Sequence, residues 1–351
     1  MRKLSYGELY RLTNNKDIDL SNLLVDFSKI PAVNSSDITT AETADRFFEK
    51  YSIGNMLPDI HKPYERLLGY EILMKSLVDY NKIQYERVHK GTPYYFMGWL
   101  SFQIEDFEKG IYYLDSAVSE DIRKIGQDLT RLQDYPGVSF VLLRYNPHQI
   151  GLIESLDLIH KFEDQLKIYS DKTGQTFSKD DFIEKFVKPS FFDNSFRTLL
   201  TSLYSFILEY DSRAQQLDLR SSEGSSIEPF LTHLLKGGLI LESLLKLKPP
   251  GDREKTLRPV IIAHNHKLKI DTTVLKGGLT LEEVSQHLLD LESKKKAFQD
   301  VCFGVTYGIR NTTGHKLLWK DIFLGDSDIY TRLFRAEVGA IFYSIYRLWI
   351  E

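Results

Sequence analysis

Apolar residues recur at three- and four-residue steps through most of the 351-residue chain, a spacing that predicts helices. Residues 62–82 place Leu67, Leu68, Tyr70, Leu73, Met74, Leu77 and Val78 on one broad face. Lys90-Gly91-Thr92-Pro93 ends that element and opens the next, with Pro93 in a first turn. The period continues over 94–121, over 150–167 (Ile153, Leu156, Ile159, Leu166) and over 178–187, up to Pro189. The apolar run 138–143, between Pro136-Gly137 and Asn146-Pro147, reads either as a strand or as a buried helix segment. Within residues 1–60 the pattern offers three short helices, and no recognisable chemistry accompanies them.

The C-terminal half reads as four long helices. The first, 196–217, carries Leu199, Leu200, Leu203, Phe206, Ile207 and Tyr210; the second, 227–247, stops at Pro249-Pro250-Gly251. A capping box, Thr280-Leu281-Glu282-Glu283, starts the third, which follows three- and four-residue steps for the most part through Val284, Leu288, Leu291, Phe298, Cys302 and Val305 to Ile309. The fourth runs from 327 to the end and is apolar on two faces, as in a helix buried in a bundle or shared with a second subunit. Between the second and third, residues 246–276 hold eight Lys and Arg against three Asp and Glu. There, 257–262 and 268–274 read as a small β-hairpin around Asn265. The expected fold is mainly α, with an N-terminal region (1–60), a helical domain (61–190) and a C-terminal bundle (195–351).

Composition adds little to that picture except through charge and cysteine. With 42% hydrophobic and 27% charged residues, the chain has the content of a globular protein of two or three domains. Its formal charge of -4 excludes an overall basic field, but from residue 195 onward there are 21 Lys and Arg against 19 Asp and Glu. The basic stretch, with Lys255, Arg258, Lys267 and Lys269, either holds nucleic-acid phosphates or is a solvated loop. The single cysteine, Cys302, lies on an apolar stripe and reads as a buried small hydrophobe; without a disulfide framework a reducing, cytoplasmic setting is expected. No apolar run approaches the ~20 residues needed to cross a bilayer, so no membrane role is expected.

Residues 94–121 resemble a single tetratricopeptide repeat. Gly98, Phe107, Gly110, Leu114 and Ala117 fall at the spacings of that motif, although Ile122 stands where the family has Pro. One such unit cannot bury its own face, so neighbouring helices must pack on it. The resemblance implies packing or contact with a regulatory protein or ligand through the N-terminal half. A generic helical hairpin is the other reading.

One short stretch joins permanent positive charge, an amide and an imidazole: Gly308-Ile309-Arg310-Asn311-Thr312-Thr313-Gly314-His315. It closes the third helix, and Gly314 is a natural terminator. This Arg-Asn-x-x-x-His pattern, with four long helices around it, resembles the signature of HEPN domains (higher eukaryotes and prokaryotes nucleotide-binding). The resemblance covers about 195–351. It implies a metal-independent endoribonuclease that needs no cofactor, with RNA as substrate and a homodimer whose two motifs share a composite site. Many such domains act as toxins or defence effectors. His315 would transfer protons, Arg310 would stabilise charge on the phosphate, and Asn311 would orient the imidazole or contact the phosphate. Leu317 departs from family members that carry a modified Tyr there.

Glu242, an acid within an apolar helix, either pairs with Arg310 or faces solvent. Arg258 and His264 repeat the spacing of the motif approximately, but Val260-Ile261-Ile262 between them marks a decoy. The nine histidines are scattered, and no zinc-site spacing, Walker loop or Gly-x-Ser-x-Gly elbow occurs. The alternatives are a non-catalytic helical interaction or RNA-binding protein that uses the bundle to dimerise, and a nucleotide binder.

Overall fold

The computed structural model describes residues 2–4 and 23–25, positions within 63–87, and residues 89–144, 152–219, 226–313, 322–323 and 327–351. It is mainly helical and divides into two compact units, Met1–Leu156 and Asp157–Glu351. In the first, β1 (Arg2–Leu4) and β2 (Leu23–Val25) pair in parallel, Arg2 opposite Leu23.

The centre of the described part of the first unit is a helical hairpin of α1 (Gly91–Gln103) and α2 (Phe107–Ile125). Asp106 starts α2 by accepting the Lys109 N–H. Gly98 lets the helices approach closely: a Cβ there would stand 3.1 Å from the Gly110 carbonyl and 3.2 Å from the Leu114 nitrogen. Leu114, Ala117 and Val118 form the buried stripe of α2. The run at 138–143 resolves as helix, α3 (Pro136–Val141), and not as a strand. Pro136 occupies its first turn, the Ser139 N–H reaches the Tyr135 carbonyl at 2.8 Å, and Phe140 stacks on Phe102.

The second unit begins within α4 (Leu152–Thr173). A helical run follows: Lys179–Asp181, the π-helical Phe182–Val187, and Lys188–Ser190. Next come α5 (Asn194–Asp218), capped by Asp193, and α6 (Glu228–Lys246). Then follow α7 (Leu257–Leu268), α8 (Leu281–Ser293), α9 (Phe298–Thr313) and α10 (Ser327–Ile345), extended by the π-helical Tyr346–Ile350. Helices α6, α9 and α10 pack pairwise on one another; α5 lies on α6 and α10, α8 on α9 and α10, and α7 on α6.

Two aromatic clusters fill this core. Phe206, Tyr210, Tyr330 and Phe334 join α5 to α10, with Tyr210 and Phe334 stacked 4.1 Å apart. The other gathers Phe162, Tyr169, Phe177, Phe182 and Phe186 against Phe196, Tyr204, Phe342, Tyr346 and Trp349. The core therefore draws on residues before Pro189 as well as after it.

Two expectations for this half are corrected. The basic stretch holds no hairpin: 257–268 is helical, with Leu257, Val260, Ile261, His264 and Leu268 turned inward at three- and four-residue steps. Lys269, at φ 52°, ends that helix, and the β-branched run sits on it without changing its period. The third long helix is not continuous. After the Thr280 capping box and α8, Lys295 adopts φ 51° and the Lys296 N–H returns to the Leu291 carbonyl at 3.1 Å, closing α8 before α9 begins.

Candidate functional site at the end of α9

Arg310 occupies the last turn of α9, where a cation complements the carbonyl end of a helix. Neighbouring segments fix that turn on two sides. Thr312 donates to the Leu279 carbonyl at 2.5 Å, and a Cβ at Gly277 would stand 3.3 Å from the hydroxyl of Tyr307. On the other side lies α6, where Gly238 leaves room for Arg310: a Cβ at 238 would come within 2.9 Å of the Arg310 Cβ.

One turn along α6 from Gly238 is Glu242, only 7% exposed. The Arg310 Nε donates to Glu242 Oε2 at 3.0 Å, and Lys246 Nζ donates to Glu242 Oε1 at 2.6 Å. The solvent-facing reading of Glu242 is therefore excluded. Lys246 also donates to the Lys255 carbonyl at 3.1 Å, tying the segment before α7 to the same cluster. Arg310 keeps 26% of its side chain exposed, and its two terminal nitrogens make no hydrogen bond among the described residues. A partly exposed guanidinium held through Nε has two terminal nitrogens that can donate to a phosphate or carboxylate.

The other predicted residues fall unequally around this point. Asn311 donates its amide to the Tyr307 carbonyl of its own helix at 3.1 Å. His315, Gly314 and Leu317 lie outside the described residues. Lys255, Arg258, Lys267 and Lys269 are all exposed. His264 of the decoy pair is buried and bonded to the Leu245 carbonyl at 2.8 Å, and burial lowers its pKa. Cys302 is buried and its thiol is pushed up by that burial. Among the described residues no three His, Cys, Asp or Glu side chains converge to hold a metal ion, and no helix is long and apolar enough to cross a membrane.

Sequence reasoning passed over three features. Lys246 lies four residues after Glu242, a spacing that pairs charges on a helix, so its role was legible. Glu337 lies on α10 beside Gly237, fully buried, and among the described residues neither carboxyl oxygen has a hydrogen-bond partner. Burial holds this acid well above the usual carboxylate range, with the Gly238 N–H opposing. An acid within the apolar run Ala336-Glu337-Val338-Gly339-Ala340-Ile341 was its signal. His233 joins the core between the Phe206 carbonyl, 2.8 Å from Nε2, and the Tyr330 hydroxyl, 2.6 Å from Nδ1. Burial brings its pKa down to about 4, Glu209 opposing, so at neutral pH Nε2–H donates and Nδ1 accepts.

Comparison of the chain with protein-family models, with curated proteins and with solved structures gave no match.

Proposed function

We propose that the protein is a metal-independent endoribonuclease of the HEPN type, acting through Arg310 and His315 as a homodimer. The observation that carries the reading is the Arg310–Glu242 pair: Glu242 engages Nε, the side chain stays 26% exposed, and among the described residues the two terminal nitrogens make no hydrogen bond. Cleavage begins when the RNA 2'-hydroxyl loses its proton and attacks the adjacent phosphorus, and the departing 5'-oxygen gains a proton. A histidine titrates in the range needed to take or give these protons, and His315 follows Arg310 by five positions. Arg310 stabilises the charge that gathers on the phosphate oxygens. Facing motifs of two subunits supply the second imidazole. Glu242 positions Arg310 through one carboxylate oxygen, and Lys246 holds the other.

The test is incubation of the purified protein with mixed-sequence single-stranded RNA in EDTA, beside Arg310→Ala and His315→Ala. The reading expects cleavage by the native protein alone, with 2',3'-cyclic phosphate and 5'-hydroxyl ends. Equal cleavage by His315→Ala, or products with 5'-phosphate ends, would contradict it.

A non-catalytic dimerising bundle has one observation in its favour. The Asn311 amide closes on its own helix and does not reach outward. Under that reading Arg310→Ala changes stability and association, and no RNA cleavage is seen with any form.

A further inference from the structure

The outer face of α7 continues the Arg310 cluster into a basic stripe. Lys255, Arg258, Ile262, His266 and Lys269 follow one another at steps of three, four, four and three residues, and all five are exposed. At 1.5 Å per residue they span roughly 20 Å. Residues 255–270 contain no Asp or Glu. Among the described residues Lys255, Arg258, Lys267 and Lys269 form no ion pair, whereas Lys161, Lys179, Lys185 and Lys188 of the same unit each do. Asp252 and Glu254 precede the stripe, and Asp271 beyond it is taken by Lys296 at 2.9 Å. Lys267 adds charge on the flank, where its field lowers the pKa of Lys248 in addition to the effect of burial.

The stripe begins at the candidate site. Arg310 holds Glu242, Glu242 holds Lys246, and Lys246 holds the Lys255 carbonyl. From that chain of contacts Lys255 and Arg258 are the first exposed cations of the stripe. Exposed Ile262, half-way along, offers apolar contact to a base, and His266 and Lys269 extend the track.

We infer that the outer face of α7 binds the phosphate backbone of single-stranded RNA and leads it to Arg310. This rests on the ribonuclease reading for the identity of the ligand, and it adds the face along which the substrate runs. Such contacts are ionic and sequence-independent, and each phosphate neutralised on a single strand contributes about 0.7 to the salt slope of log K.

The experiment measures binding of the full chain to a fluorescein-labelled 2'-O-methyl RNA 20-mer by anisotropy across a salt series. This probe lacks the attacking hydroxyl and is not consumed. Lys255→Ala/Arg258→Ala/Lys269→Ala should keep the native melting curve, bind at least tenfold more weakly and lose about 2 from the slope. Unchanged affinity and slope in that variant would overturn the inference, as would no binding by the native protein at 50 mM salt. Competition by poly-glutamate as effective as competition by RNA would also overturn it, in favour of an acidic protein partner. Weakened binding in the triple variant, with no cleavage of unmodified RNA by the native protein, would retain the α7 face and remove the ribonuclease reading. Cleavage that needs Arg310 and His315, with binding unchanged in the triple variant, would do the reverse.

Discussion

Glu337 shows how one residue can set a pH dependence. Its folded pKa is raised, so the native protein keeps a proton that the unfolded chain releases above about pH 4.3. The stability it contributes is complete below the unfolded pKa and falls as pH rises, by about 1.4 kcal/mol per unit while the buried acid stays protonated. His233 acts the other way. Its pKa is depressed from 6.5 to about 4, so stability grows between those values as pH rises. Comparing Glu337→Gln with the native protein at each pH cancels the histidine term. Denaturant unfolding should show the Gln variant gaining on the native protein from pH 5 to pH 7; parallel pH profiles would show that Glu337 is ionised when folded. At this scale the sequence was partly legible. Arg310 and Glu242 both stood out by residue type, but their pairing joins positions 68 residues apart and depends on how α6 meets α9. Glu337 carried the same signal as Glu242, an acid amid apolar neighbours, but that signal does not tell a partnered acid from an unpartnered one.

At the scale of elements, the candidate site depends on the approach of α6 to α9. Gly238→Ala places a methyl 2.9 Å from the Arg310 Cβ and 3.4 Å from its Cα. The nearest atoms are backbone and the root of a side chain, so α9 must move. A loss of about 1–3 kcal/mol in stability is expected, with weakening of the Arg310–Glu242 pair; full native stability would show that the helices have slack. Beyond residue 60 helix positions were the most legible feature, because a packed helix keeps its 3.6-residue period; within residues 1–60, where short helices were expected, Leu23–Val25 instead pairs with Arg2–Leu4 as a strand. Breaks between helices were not legible. Lys295 and Lys269 end helices in the left-handed region without a glycine to announce them. The β-branched Val260-Ile261-Ile262 suggested a strand, although the buried positions around it keep helical spacing.

At the scale of the molecule, the second unit reaches back to Asp157, and α4, the 179–190 run and Phe177 between them deliver five aromatic rings to its core. A fragment 157–351 should therefore fold to a cooperative helical unit, measured by circular dichroism melting. A fragment 195–351 should lose the transition or aggregate, because Phe196, Tyr204, Phe342, Tyr346 and Trp349 would lose their partners. Equal melting of both would show that those rings are peripheral. Proline and turn signals near 189 mark local chain direction, whereas the unit is set by aromatic contacts between distant helices, which no local pattern records.

The central claim is that Arg310, positioned by Glu242, stabilises the transition state of RNA cleavage. It is tested most directly by single-turnover cleavage rates of the native protein, Glu242→Gln, Arg310→Ala and the double variant in EDTA. Arg310→Ala should lower the rate by about 100-fold or more and Glu242→Gln by less, and the double variant should be no slower than Arg310→Ala alone. A native rate in Arg310→Ala, or independent and fully additive losses, would contradict the account.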